Sequence, residues 1–129
     1  MYKTLTTNLM VENVEKSLDF YRDILGFEVE ASVPNEKGVL IFAILLKDGT
    51  SVMLQEKNSL VSEYSVLRTD KIKPTITLYF VVDDVEKYYG EMKNKCSVYV
   101  ELHTTDYGAR EFAILDPDGY PLTFAGQMQ

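Results

Sequence analysis

Few side chains of this chain are of types that carry out chemistry. Cys96 and His103 are its only cysteine and histidine. Sites for zinc, nickel or iron usually use several His or Cys ligands, so such a site here would have to consist mostly of carboxylates. His103 with the nearby Asp106 is the one conceivable acid–base pair with an imidazole, although a solvated loop histidine is the alternative interpretation. Glu101 and Glu111 are expected to face solvent, and Cys96 is expected to be a packing residue.

Composition excludes several classes of protein. The 129 residues are 46% hydrophobic and 26% charged, which predicts a folded chain with a sizeable core. The net charge of −7, without any basic cluster, argues against binding nucleic acid. No apolar run approaches the roughly 18 to 20 residues that span a bilayer, and the first residues do not resemble a secretion signal. We therefore expect a cytoplasmic protein with no membrane partner and no disulfide.

The chain contains an internal repeat, because three blocks of sequence recur about 70 residues later in nearly the same register. The repeated pairs are Val11–Lys16 with Val82–Lys87, Phe42–Leu45 with Phe112–Leu115, and Asp48–Gly49 with Asp118–Gly119. Two separated stretches in one register indicate a duplicated module, and the slip of one residue indicates a loop insertion.

Each half is predicted to run strand, helix, then three strands. Asn13 and Asp84 are the expected helix N-caps, and Gly26 is the expected left-handed residue after the first helix. The turns at 47–50 and 116–120 are expected to join the last two strands of each half. A helix capped by Asn58 or Ser59 and extending to Leu67 is expected in the linker. The predicted strands are 5–11, 27–33, 39–46 and 51–55 in the first half, and 76–82, 97–102, 110–115 and 121–125 in the second.

Two motifs identify a family resemblance. The segment Asn13–Phe27, together with Tyr107–Phe112 and the turn Asp116–Tyr120, resembles the vicinal-oxygen-chelate superfamily, the glyoxalase/bleomycin-resistance/dioxygenase proteins. The resemblance covers the chain from about Thr4 to Phe124. It implies an α+β fold in which two tandem βαβββ modules form a cupped mixed sheet with the helices outside. The expected organisation is one glyoxalase-like domain, 1–129, made of module 4–56, linker 57–74 and module 75–127.

The same resemblance locates four positions where enzymes of the family carry metal ligands, one on the first and one on the last strand of each module. In this sequence those positions hold Thr6, Met53, Thr77 and Thr123. A neutral hydroxyl is a poor ligand for a divalent cation, and a thioether suits copper(I) rather than the metals of this family. The resemblance therefore implies a member that has lost its metal site, and we expect no metal and no cofactor.

Strand alternation predicts which side chains share a face with those four positions. They are apolar, hydroxyl and amide groups with one aromatic ring, a composition typical of small-molecule pockets. The alternative is that these side chains simply fill a vestigial cup or support a dimer. The predicted pocket consists of Thr6, Asn8, Met10, Met53, Gln55, Thr77, Tyr79 and Thr123.

The favoured function is metal-independent binding of a moderately hydrophobic small molecule, which the protein sequesters or senses, as in the bleomycin-resistance branch. The first alternative is an isomerase or lyase of the glyoxalase type with a metal-free or non-standard active site, for which no catalytic residue is assigned. A purely structural dimerising module is the second alternative. In this family exposed sheet edges and cup rims are usually completed by a second chain, so a homodimer is expected.

Overall fold

The computed structural model describes residues 1–127 and divides the chain into two compact units, of which the first is Met1–Ile72 and the second begins at Lys73. Each unit contains a four-stranded mixed sheet, ordered β1-β4-β3-β2 in the first and β5-β8-β7-β6 in the second. The identical order confirms the predicted duplication. The strands are β1 Thr7–Val11, β2 Glu28–Pro34, β3 Leu40–Lys47, β4 Thr50–Glu56, β5 Leu78–Val82, β6 Val100–Thr104, β7 Arg110–Leu115 and β8 Pro121–Gly126.

The first helical segment, α1 (Val14–Leu18), continues into a π-helical turn, Asp19–Ile24. The Asn13 side chain accepts the Lys16 N–H at 2.9 Å, so the predicted N-cap is confirmed. Gly26 has φ +81° and follows the helical segment as predicted, because this left-handed conformation suits a residue without Cβ. The helical face is apolar and buried, and it packs against β3 and β4; its members are Val14, Leu18, Tyr21 and Leu25.

In the second unit, α3 (Val85–Met92) covers one face of the sheet, and its predicted N-cap Asp84 accepts the Lys87 N–H. An aromatic cluster joins this helix to the strands. The Phe112 ring lies 5.2 Å from that of Tyr89 and 5.4 Å from that of Phe124. The Phe124 ring stacks on Phe80 from the adjacent strand. This cluster and the apolar residues around it form the core of the second unit.

Both predicted hairpin turns are present. The first contains Asp48 and Gly49, with φ +48° and +77°, values typical of two-residue hairpin turns. In the second, the buried Asp116 carboxylate accepts the backbone N–H groups of Asp118 and Tyr120, at 2.9 and 3.0 Å. That bonding explains how a buried carboxylate is tolerated, because both partners are fixed by the turn itself.

The linker differs from the prediction. Its helix, α2 (Lys57–Glu63), is capped by Glu56, whose carboxylate accepts the N–H groups of Asn58 and Ser59. The helix also ends earlier than expected, and a separate 3-10 turn covers Ser65–Leu67. Residues 57–72 lie within the first compact unit, Met1–Ile72. Along residues 1–127, no helix is long and apolar enough to cross a membrane.

Several strand bounds also differ from those predicted. β1 and β5 each begin two residues late, which leaves Leu5 93% and Ile76 44% exposed. Hydrophobic alternation could not detect this, because both residues continue the pattern although neither is buried. β6 begins three residues later than expected, at Val100, whereas β7 has the predicted bounds.

Candidate functional site

Alternation gives each sheet a helix-packed face and an opposite face, here called the far face. On the first sheet, Leu9, Val11 and Leu54 point toward α1 and are at most 1% exposed. The paired registers place the intervening side chains together on the far face, which consists of Asn8, Met10, Phe42, Ile44, Met53 and Gln55. On the second sheet, the far face consists of Tyr79, Val81, His103, Glu111, Ala113, Thr123 and Ala125.

The predicted pocket residues occupy these faces to different degrees. Asn8 is directly opposite Met53 on the first sheet, and Tyr79 is directly opposite Thr123 on the second. Thr6 and Thr77 each precede a strand by one residue, with Thr6 half-buried and Thr77 exposed. The role of all eight residues in contacting a ligand stays a prediction.

Gln55 forms a hydrogen-bond network within the first unit. It is 5% exposed. Its Oε1 accepts from Asn8 Nδ2 at 2.9 Å, while its Nε2 donates to Ser59 Oγ at 3.0 Å and Glu63 Oε1 at 2.7 Å. Both amide hydrogens and one acceptor position are thus occupied within the protein. We infer that Gln55 holds α2 against the sheet rather than orienting a ligand.

The second far face contains a carboxylate that the sequence interpretation placed in solvent. Glu111 is half-buried, and its Oε2 accepts the Tyr79 hydroxyl at 2.9 Å. The Tyr107 hydroxyl, from the loop before β7, lies 3.2 Å from the same oxygen and 3.3 Å from Oε1. Glu101 does remain exposed and accepts the Tyr89 hydroxyl beside the helix. Glu111 is therefore only partly open to solvent, whereas Glu101 is exposed as expected.

The hydrogen bond to Glu111 is the main cause that raises the pKa of Tyr79 to about 12, with burial and the carboxylate charge adding to it. The neutral phenol donates to the carboxylate, whereas a phenolate would repel it. Tyr79 therefore keeps its proton throughout the neutral and mildly alkaline range. It acts as a hydrogen-bond donor and not as a base.

The one acid–base pair suggested by the sequence is not formed. His103 lies in β6 rather than in the loop, and its register partner is Glu111. Its Nδ1 is 2.8 Å from the backbone oxygen of Glu101. Between residues 1 and 127, no hydrogen bond or ion pair joins His103 to Asp106. His103 instead extends the polar part of the second far face.

The four positions that hold metal ligands in enzymes of this type do not fit a divalent metal. They present three hydroxyls and a thioether, none of which replaces a carboxylate or an imidazole. Within the described part of the chain, no group of three or more His, Cys, Asp or Glu side chains could hold an ion. We therefore derive no chemical step through a metal.

The second unit also has an open groove of about 720 Å³, which lies next to the C-terminal end of α3. It is lined mainly by polar side chains, including Tyr89, Lys93, Lys95 and Glu101, and none of the predicted pocket residues belongs to it. Cys96 also lines it, and burial raises the pKa of its thiol. A thiol that stays protonated at neutral pH is a poor nucleophile, as expected for a packing residue.

Comparison with known proteins gives one family. The model of the Glyoxalase/Bleomycin resistance protein/Dioxygenase superfamily matches residues 4–124. The uncharacterized protein YwbC of Bacillus subtilis (strain 168) is 27% identical over 121 residues, which cover 92% of each chain.

Solved structures agree at the level of the fold. A superfamily member from Sphaerobacter thermophilus DSM 20745 has a TM-score of 0.76 and 22% identity, with 98% of each chain covered. A glyoxalase-related enzyme from Fulvimarina pelagi has a TM-score of 0.80 and 15% identity, covering 98% of this chain and 89% of its own. Identities this low support a common fold and carry no argument about activity.

Proposed function

This chain belongs to the Glyoxalase/Bleomycin resistance protein/Dioxygenase superfamily, and we propose that within it the protein is a metal-independent binder of small molecules, sequestering or sensing a moderately hydrophobic ligand. The observation that carries the proposal is the chemistry of the far faces. Where metal enzymes of the family need carboxylates and imidazoles, this chain has Thr6, Met53, Thr77 and Thr123. Ile44 is directly opposite Met53, and Tyr79 is directly opposite Thr123.

The first far face supplies an apolar surface suited to such a ligand. Met10, Ile44 and Met53 are half-buried, and Ile44 is directly opposite Met53. Met10 and Phe42 are the register partners of Gln55 on its two sides. Unbranched methionine side chains can repack around ligands of irregular shape. On the second far face, Tyr79 offers a ring that is 52% exposed. Affinity would thus come chiefly from removing apolar area from water.

A thermal-shift screen in the presence of chelator tests this proposal. The library would contain hydrophobic antibiotics, dicarbonyl adducts and common metabolites. A ligand at about 100 times its Kd stabilises the folded state by about 2.7 kcal/mol, which raises the Tm of a domain this size by several degrees. We expect at least one group of chemically related compounds to raise the Tm by several degrees. No shift with any compound would contradict the proposal and favour a filled, structural module.

The double variant Met53→Glu, Thr123→Glu shows whether the compounds bind at the far faces. Both residues are half-buried, so the fold should survive, but two uncompensated carboxylates should abolish the shift given by apolar compounds. The matched control is Thr50→Glu, Thr104→Glu, which adds the same charge at exposed positions on the other side of each sheet. A large fall in the Tm of the Met53 and Thr123 variant without ligand would instead indicate filled faces.

We further propose that the protein is a cytoplasmic homodimer. β2 is an edge strand whose side chains are all exposed, including Val29 and Val33. Edge strands of this kind are usually covered, charged or paired, since their free backbone groups otherwise invite association. Light scattering should give twice the 14.7 kDa mass of the chain. A mass of one chain at micromolar concentration would contradict the dimer.

A further inference from the structure

The tyrosine–glutamate cluster (Tyr79, Tyr107 and Glu111) combines an anion with two accessible aromatic rings. The Glu111 carboxylate is half-buried, and none of the ion pairs among residues 1–127 includes it. The hydrogen bonds to its carboxylate come from two phenol groups, those of Tyr79 and Tyr107. Among residues 1–127 the carboxylate thus has no protein cation paired with it.

The rings of the cluster remain available after their hydroxyls have bonded to Glu111. Tyr79 is 52% exposed and Tyr107 is 61% exposed, so most of each ring can meet a ligand. An aromatic face attracts a cation through its quadrupole, and an adjacent carboxylate attracts the same cation through its charge. Aromatic rings around an anionic group are the arrangement that recognises organic ammonium groups. The chain's net charge of −7 adds a field of the same sign.

The surroundings of the cluster suit the rest of such a ligand. Val81, two residues after Tyr79 on β5, is 59% exposed, and the half-buried Thr123 is directly opposite Tyr79. These side chains are small or apolar, so they can contact a hydrophobic body attached to the ammonium group. A bare divalent metal is a poorer fit, because one carboxylate with two neutral phenols falls short of the oxygen ligands that such ions require.

We propose that the tyrosine–glutamate cluster binds the ammonium group of an organic cation, whose apolar part lies along the second far face. This inference rests on the proposed function and names the chemical class of its ligand. A hydrophobic anion is disfavoured at the same place, because it would bring its charge against Glu111.

Calorimetric titration with three benzyl compounds of different charge tests the inference. Benzyltrimethylammonium is the cation, benzyl alcohol the neutral analogue and benzoate the anion. We expect the cation to bind and Glu111→Gln to weaken it by about tenfold or more, since the variant keeps the size of the side chain but removes its charge. The matched control is Glu101→Gln, whose carboxylate also accepts a tyrosine hydroxyl but lies away from the far face.

A second pair of variants tests the ring. Tyr79→Leu should weaken binding of benzyltrimethylammonium by severalfold, because it removes an aromatic face, whereas Tyr99→Leu should not, since Tyr99 is similarly exposed but outside the cluster. Neither change should unfold the protein, because both rings are more than half exposed. Equal losses in the two variants would contradict a specific role for Tyr79.

Tyrosine ¹³C NMR shows whether the cluster itself has been altered. In the wild type the pKa of Tyr79 is raised to about 12 by its bond to Glu111. Removing the carboxylate charge should lower the pKa of Tyr79 toward the ordinary tyrosine value, so Tyr79 should ionise at a lower pH in Glu111→Gln than in the wild type. In Glu101→Gln the pKa of Tyr79 should be the same as in the wild type. A pKa of Tyr79 that is unaffected by Glu111→Gln would contradict the cluster as described.

The possible outcomes separate this inference from the proposed function. If benzyl alcohol or benzoate binds as well as the cation, or if Glu111→Gln has no effect on the cation, the inference is wrong while small-molecule binding stands. The same holds if the cation does not bind but the compound library yields other ligands. If neither the cation nor any library compound binds, both proposals are wrong.

Discussion

Replacing Phe112 with alanine is expected to lower the free energy of unfolding by about 3–5 kcal/mol, the usual cost of deleting a buried aromatic side chain. Phe112 is 0% exposed, and its ring contacts Tyr88 and Tyr89 from α3 and Phe124 from β8. Its loss therefore removes part of the aromatic contact between α3 and the second sheet. Urea denaturation followed by circular dichroism measures the effect.

Phe42→Ala provides the comparison for this prediction. Phe42 occupies the equivalent place in the repeat, but the structure puts it half-buried on the far face of the first sheet. The same chemical change should therefore cost clearly less than at Phe112, because less apolar area was removed from water. Equal costs at the two positions, or a cost below about 1 kcal/mol at Phe112, would contradict the described core.

Gln55→Leu is expected to destabilise the protein by about 1–3 kcal/mol although leucine is the more hydrophobic residue. The substitution removes the acceptor of Asn8 and the donor to Ser59 and Glu63, so three hydrogen bonds are lost; of these partners Ser59 is half-buried, while Asn8 and Glu63 are exposed. Denaturant titration measures the change. Asn58→Leu, at an exposed position on α2, is the matched control and should have little effect.

This variant also separates a structural role for Gln55 from a role in ligand binding. If Gln55 mainly holds α2, the variant should be less stable while compounds from the screen still bind at temperatures where it is folded. Unchanged stability together with lost binding would show that Gln55 contacts the ligand, as its place on the strand first indicated.

Local patterns predicted the elements well. Asn13 and Asp84 act as N-caps because short polar side chains before an apolar helical face reach the free N–H groups of the first turn. The N-cap of α2, Glu56, was not predicted, because glutamate is an uncommon N-cap residue. Glu56 is also the last residue of β4, so the sequence pattern assigns it to the strand. Secondary-structure propensity alone does not give the order of the elements. The sequence repeat does, because the same pattern of strands and helix occurs in both halves.

The candidate site was only partly predictable for a different reason. Alternation in β7 places Phe112 and Ile114 on the buried side, which puts Glu111 on the far face. What alternation does not give is the partner, since Tyr79 is 32 positions away and Tyr107 comes from a loop. The same holds for Gln55, whose bonds to Asn8 and Glu63 depend on strand pairing and on the direction of α2.

Calorimetric titration of the strongest compound from the screen, first into chelator-treated protein and then into protein supplied with nickel or zinc, tests metal-independent binding most directly. We expect the same Kd and stoichiometry in both samples, because Thr6, Met53, Thr77 and Thr123 offer a divalent ion no adequate ligand set. Binding that occurs only in the metal-supplied protein, with about one equivalent of metal retained through dialysis, would contradict the account.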